Sequence, residues 1–177
     1  MSDQTSCMNV YDTYQATIGI EVHVQLNTMS KIFCSCENSP SKRANSHICH
    51  ICTGQPGSLP TLNKKVVDYG ILMGLATQST INKRCSFERK HYFYPDLPKN
   101  YQITQGADPI CSHGFIPVRC PDGSIKPIRL IRIHIEEDAG KSIHATTANE
   151  SFVDFNRAGT PLLEIVSYPD IHSSHQA

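Results

Sequence analysis

Thr17-Ile18-Gly19-Ile20-Glu21-Val22-His23-Val24-Gln25-Leu26 is the stretch on which the fold turns. Ile18, Ile20, Val22, Val24 and Leu26 alternate with Gly19, Glu21, His23 and Gln25, which is the period of a strand and not of a helix. The pattern predicts a half-buried strand with one apolar face on a core and one polar face outward. Farther along, Ile131, Ile133 and Ile135 alternate with Arg132, His134 and Glu136, a second one-sided strand. Pro121-Asp122-Gly123-Ser124 is a turn signal between Val118 and Ile128 and predicts a hairpin leading into it. One helical pattern separates the two strands. Leu62, Val66, Tyr69, Met73 and Ala76 recur at steps of four and three, with Lys64, Lys65 and Asp68 off the stripe. Asn63 or Thr61 is suited to cap this helix, and Gly70 and Gly74 share a face that implies close packing on a neighbour. Strands and one helix without a βαβ rhythm predict an α+β fold around an antiparallel or mixed sheet.

The chain has 177 residues, of which 39% are hydrophobic and 18% charged. That suffices for the packed core of one domain, or of a domain with a small appendage. Lys plus Arg and Asp plus Glu both number 16, which argues against a uniformly basic nucleic-acid binder and leaves room for a local basic face. Residues 1–15 are polar and without period and read as a flexible arm, leaving 16–177 as the folded part. The first residues lack a positive segment followed by an apolar run, and no apolar stretch approaches the roughly 18–20 residues that cross a bilayer. A cytoplasmic protein without membrane contact is expected, and in that compartment its 8 cysteines are metal ligands more readily than disulfides.

Cys34 and Cys36, then Cys49 and Cys52, form two close pairs in the polar, loop-rich segment 34–57. Soft thiolates at this spacing suit a structural Zn²⁺ with four sulfur ligands. His47 and His50 lie near enough to replace one of them. Cys7, Cys85, Cys111 and Cys120 have no comparable spacing and read as ordinary thiols.

Harder donors gather on the two strands. Glu21 and His23 share the polar face of the first, His134 and Glu136 that of the second, and Glu137-Asp138 follow where the second is expected to end. Carboxylates with one imidazole suit Mg²⁺ or Mn²⁺, which bind phosphates while keeping waters. The plain alternative is a solvated outer face, since an alternating strand needs polar residues there in any case. Likewise Lys141 and His144 read equally as exposed residues, and Arg157 after Asp154 and Asn156 as a structural turn.

The strings Ile18–Thr28, Pro56–Pro60, Arg89–Lys99, Arg132–Lys141 and Asp154–Asp170 stand in the order found in the B-subunit family of tRNA-dependent amidotransferases, and the chain resembles the amino-terminal third of that family. The resemblance implies a cradle-shaped domain like the glutamine synthetase catalytic sheet, with a zinc-knuckle insertion. It implies ATP and a divalent metal as cofactors, and phosphorylation of the side-chain carboxylate of Glu on tRNA(Gln) or Asp on tRNA(Asn). Ammonia drawn from glutamine by the amidase (A) subunit then displaces the phosphate, with a small C subunit completing a heterotrimer. The resemblance places catalytic roles on Glu21, His23, Glu136 and Glu137, and the Mg²⁺ ligands on Glu21, His23 and Glu137. It gives Lys90, Tyr92, Tyr94, Lys99 and Arg157 as contacts to phosphates or the tRNA end, and matches Cys34, Cys36, Cys49 and Cys52 to a zinc site present in some members.

Glu137 points away from Glu136 in a regular strand, so a strand end or bulge is expected between them. Four departures from the family pattern stand at His91, Asn100, Gly106-Ala107 and Tyr168. A second acidic motif completing the metal site is expected beyond Ala177, together with carboxy-terminal domains that grip tRNA, so residues 1–177 alone are expected to be inactive. The rival reading is a non-catalytic zinc-knuckle module that binds RNA or protein, with Lys42-Arg43 as its basic patch.

Overall fold

The computed structural model describes residues 13–145 and 149–177. The expected arm, residues 1–15, therefore lies mostly outside the described residues. Among the described residues, ten strands and one long helix follow in the order β1 (Glu21–Gln25), α1 (Lys64–Ala76), β2 (Thr80–Ile81), β3 (Glu88–His91), β4 (Tyr101–Thr104), β5 (Cys111–Ser112), β6 (Phe115–Arg119), β7 (Ile125–Glu137), β8 (Lys141–His144), β9 (Ser151–Asp154) and β10 (Pro161–Ser167). The main sheet runs β1-β10-β7-β5-β2, with β6 also paired to β7; β3-β4 and β8-β9 form two separate two-stranded sheets. Every pairing is antiparallel. This is the α+β class, and its sheets are antiparallel rather than mixed.

β7 is the spine. Its first half pairs with β6 across the turn at 120–124, where Cys120 N donates to Ser124 O at 2.9 Å and Gly123 takes φ +82°. Its second half lies between β10 and β5. One face of this region supplies Ile133, Ile135 and Leu163 to a core completed by Leu26, Ile32, Phe33, Val66, Ile103 and Ile110.

α1 covers that face. Asn63 caps it, its Oδ1 accepting from Lys65 N at 2.9 Å, which supplies one of the partners a helix start lacks. The buried stripe is Val66, Gly70 and Gly74, while Leu62, the expected first member of the apolar stripe, is 40% exposed. The two glycines set the approach. A Cβ on Gly70 would stand 2.7 Å from Ile110 Cδ1, and one on Gly74 2.5 Å from Cys111 Sγ.

The first strand departs from its pattern. β1 is an edge strand, and Val22 is 46% exposed. Only Val24 and Leu26 reach the core, because α1 covers the far end of this edge. The second strand departs in the opposite sense. His134 and Glu136, on its polar face, are each 3% exposed. The solvated outer face that alternation alone allows is therefore not what β7 presents, and burying such groups demands partners.

Candidate functional site

The partners come from strand register. His23 on β1 lies opposite Glu164 on β10, and Glu164 lies opposite His134 on β7. Glu136 is two residues along β7 on the same face. His23 Nε2 stands 3.0 Å from Glu136 Oε1 and 3.2 Å from Glu164 Oε2, and His134 Nε2 stands 3.1 Å from Glu164 Oε2. Arg132 Nε donates to His134 Nδ1 at 3.3 Å. That bond makes Nδ1 the acceptor, so the ring proton sits on Nε2 and is directed at the carboxylates. Thr104 Oγ1 donates to Glu136 Oε2 at 3.0 Å. Burial opposes ionisation of Glu136, yet hydrogen bonding and charge from His134, the Thr104 hydroxyl and the nearby His23 carry its carboxyl below the usual range.

The cluster opens into a cleft of about 600 Å³ lined by His23, Gln25, Tyr92, Gln102, Glu136 and Asp138. Burial, and then the negative charge of Glu136 and Asp96, keep the Tyr92 phenol protonated above its ordinary range. Gln25 Nε2 donates to Asp138 Oδ2 at 2.9 Å, on the rim. A second hollow, of about 420 Å³, adjoins it across Gln25 and is edged by Asn38, Lys141, Asn156 and Arg157.

The donor set suits a hard divalent cation. Neighbouring ligands of an octahedral Mg²⁺ at about 2.0–2.1 Å stand about 2.9 Å apart, close to the 3.0 and 3.2 Å from His23 Nε2 to the two carboxylates. Among the described residues, His23, Glu136 and Glu164 are the hard-donor group whose ligand atoms lie within 4.8 Å of one another. The expected Mg²⁺ set of Glu21, His23 and Glu137 is not brought together. Glu21 shares the face of His23 but lies one row away, opposite Val166.

Glu137 points to the other side of β7, and the strand neither bulges nor ends before it. Its carboxylate takes both oxygens' bonds from Lys99 Nζ and accepts Ile103 N at 2.9 Å. Burial pushes its carboxyl up, against the charge of Lys99. The irregularity of the sheet lies instead between Val166 and Ser167.

The five expected phosphate or tRNA contacts are dispersed. Tyr92 lines the cleft, and its ring meets Tyr94 edge-on with centroids 6.1 Å apart. Lys90 Nζ sits 5.8 Å from the Tyr92 ring centroid, on the outside of β3. Lys99 is not available to a phosphate, since its ammonium is buried against Glu137. Arg157 donates Nε to Ala139 O at 3.1 Å and Nη2 to Gly140 O, bracing the turn after β7 while edging the second hollow. Reading the sequence missed Glu164. The available signal was a lone carboxylate inside the apolar run Leu162-Leu163-Glu164-Ile165-Val166.

The four cysteines do converge. Cys34, Cys36, Cys49 and Cys52 form the second metal-competent group, with all sulfurs within 4.8 Å of one another. Cys49 Sγ and Cys52 Sγ are 3.9 Å apart, matching the edge of about 3.8 Å for a tetrahedron with Zn–S near 2.3 Å. His47 and His50 are not members. The His47 ring is within reach of Ser39 O and Glu37.

The antiparallel sheet thus carries a carboxylate–imidazole cleft on one face, and the sulfur knuckle lies on the side to which Glu137 points, Cys34 and Cys52 lining one hollow with it. The GatB/GatE catalytic domain model matches residues 16–177, so the chain belongs to that family. It is 54% identical over 163 residues to the B subunit of the aspartyl/glutamyl-tRNA(Asn/Gln) amidotransferase of Lachnospira eligens, 92% of this chain and 34% of that protein. The same-named subunits of Nitratidesulfovibrio vulgaris and Clostridium novyi are 51% and 53% identical over 165 and 164 residues, each 93% of this chain and 34% of the relative. The chain thus spans about a third of the length of these relatives. No helix of the described residues is long and apolar enough to cross a membrane.

Proposed function

We propose that this chain forms the carboxylate-activating site of an aspartyl/glutamyl-tRNA(Asn/Gln) amidotransferase, working in the cytoplasm with the amidase (A) subunit and a small C subunit. The reaction phosphorylates the side-chain carboxylate of Glu-tRNA(Gln) or Asp-tRNA(Asn) with ATP, and ammonia from glutamine then replaces the phosphate. A carboxylate is a poor electrophile, and phosphorylation gives it a leaving group. Phosphoryl transfer depends chiefly on positioning and charge neutralisation. The observation that supports this reading is the convergence of His23, Glu136 and Glu164 in an open cleft.

These three residues would hold a divalent cation, which supplies neutralisation of phosphate charge when bound. His134 orients Glu164 and Glu136 through its Nε2 proton, and Arg132 fixes the tautomer of His134. The Tyr92 phenol, at the cleft wall, donates to an incoming phosphate or carboxylate oxygen. The one-sided sheet carrying the cleft supports the cradle reading of residues 16–177.

Reading the knuckle as a free-standing RNA- or protein-binding module has less support, because its loop is committed inward. Asn45 N donates to Asp154 Oδ1 at 3.0 Å, His47 N to Asn156 Oδ1 at 2.8 Å, and Asn156 Nδ2 to Arg43 O at 2.7 Å. The deciding experiment titrates Mn²⁺ into the chain by electron paramagnetic resonance, and then assays ATP-dependent amidation by the assembled enzyme. Glu164→Gln is expected to remove tight Mn²⁺ binding and to lower amidation about 10²–10³-fold. Tight Mn²⁺ binding retained in Glu164→Gln, with amidation intact, would sink the assignment.

A further inference from the structure

Lys31 takes no part in the readings above, yet it is fully buried at 0% exposure, a rare state for a lysine without a partner. Its backbone ties the knuckle to the domain, since Lys31 N donates to Cys36 O at 3.0 Å while the next residue, Ile32, donates to Gly159 O at 2.9 Å. The side chain runs past Gly159, where an added Cβ would stand 3.5 Å from both Lys31 Cδ and Cys52 Cβ. Nζ then meets three acceptors: His47 O at 2.7 Å, Phe155 O at 3.4 Å and Cys52 Sγ at 3.7 Å. Among the described residues, no carboxylate pairs with it within 4.0 Å.

An ammonium buried among carbonyls and one sulfur needs an anion, because an uncompensated charge inside a protein costs several kcal/mol. The anion it touches is the sulfur cluster, whereas Asp154 feels the Lys31 charge only from beyond ion-pair distance. Four thiolates around one divalent cation leave two negative charges uncompensated. Cys52, the most buried ligand at 4% exposure, is also where donors converge, with Cys49 N at 3.2 Å beside the Lys31 ammonium. The sulfurs of Cys36 and Cys49 lie on partly exposed residues, where water screens their charge.

We infer that Lys31 is the fixed counter-charge of the loaded sulfur knuckle, donating an N–H···S bond to the Cys52 thiolate and thereby setting the knuckle's affinity for a thiophilic divalent cation. It is a positioning residue: it contacts a ligand and not the ion. Outer partners of this kind govern metal affinity by roughly 10–100-fold. The inference is independent of the amidation chemistry. It assumes only that the knuckle binds metal, and wild-type chain that fails to take up Zn²⁺ would overturn both that premise and the inference.

The test compares wild type with Lys31→Met, which keeps the buried stem and removes the charge. Zn²⁺ affinity is measured by competition with a chromophoric chelator, and melting temperature is measured with the metal present and after stripping. Lys31→Met is expected to weaken Zn²⁺ binding at least tenfold, the lower end of that range, and to lower the melting temperature of the loaded form more than that of the stripped form. Equal losses in both forms, or an unchanged affinity, would mean that Lys31 only fills space and caps carbonyls. A measurement on wild type guards against a variant that does not fold. In ¹¹³Cd-loaded chain, the Lys31 ammonium protons are expected to exchange slowly and to show scalar coupling to the metal through the sulfur. Absence of that coupling at low temperature overturns the inference.

Discussion

Two clusters of metal-competent side chains sit on opposite sides of the end of β7, and they are built in opposite ways. The sulfur knuckle draws all four groups from residues 34–52, so its ligand geometry is set within one loop, which is then fastened to the domain through Asp154, Asn156 and Gly159. The carboxylate–imidazole cluster draws His23, Glu136 and Glu164 from β1, β7 and β10, and exists only when three strands are in register. The first takes its ligands from one loop; the second takes them from three strands. The sulfur site should therefore withstand changes to the sheet, whereas the oxygen–nitrogen site should fail whenever the sheet shifts.

The hardest blow to this comparison falls between the clusters. Lys99→Met leaves Glu137 buried without its cation, and breaking such a pair costs about 3–5 kcal/mol. Chemical denaturation should show that loss. Lys99→Met with Glu137→Gln together should recover much of it, because no charge is then left alone. If Lys99→Met instead keeps its stability and loses only ATP-dependent amidation, Lys99 belongs to the phosphate site after all.

Next in size is the oxygen–nitrogen cluster itself. Glu136→Gln or Glu164→Gln should lower ATP-dependent amidation by the assembled enzyme about 10²–10³-fold, the order seen when one electrostatic stabiliser is lost. Glu21→Gln, one row away, should cost far less. Equal losses at Glu21 and Glu164 would restore the ligand set that sequence alone suggested.

A smaller effect separates the two clusters by their dependence on the sheet. Gly74→Ala drives a methyl to 2.5 Å from Cys111 Sγ and so presses α1 off β5. Overpacking of this kind costs about 1–3 kcal/mol, offset in part by the roughly 1 kcal/mol that Ala gains over Gly in a helix. Mn²⁺ binding should weaken measurably while Zn²⁺ binding holds. A variant that weakens Zn²⁺ alone would reverse the comparison.

The least effect is expected at the far end of β7, remote from both clusters. Hydrogen bonds from Arg129 hold the Asp170 carboxyl down at about 2, with Nη2 to Oδ1 at 2.7 Å and Nε to Oδ2 at 2.8 Å. A depressed carboxylate contributes stability that is full above its unfolded value near 3.9, on the order of model peptides, and is lost as pH falls through its folded value. Asp170→Asn should therefore lower the melting temperature slightly at pH 7. The gap to wild type should narrow below pH 4 and close near pH 2. A gap independent of pH would assign the effect to packing.

The contrast also explains what was legible in the sequence. The knuckle could be read because Cys34, Cys36, Cys49 and Cys52 state their geometry in their spacing. The turn at 121–124, the cap at Asn63 and the close-packed glycines of α1 were legible for the same reason, each being decided within a few residues. Glu164 was not legible from spacing, since nothing near it says that β10 lies between β1 and β7. Glu137 misled because chain proximity to Glu136 places it on the wrong side of a strand that stays regular. Val22 misled because alternation records which way a side chain points and not whether anything covers it. Lys31 has no local signature at all, being one lysine beside an apolar pair.

β10 touches both of its neighbours through one short run, Pro161 to Ser167, and lends the middle of that run to the cleft. It acts as a shared ruler. An inserted or deleted residue anywhere between Pro161 and Glu164 would turn Glu164 into the apolar core and send Leu163 or Ile165 into the cleft, on both flanks at once. Length variation is therefore expected to be tolerated in the turn at 120–124 and refused in this segment, whatever residues are used to make it.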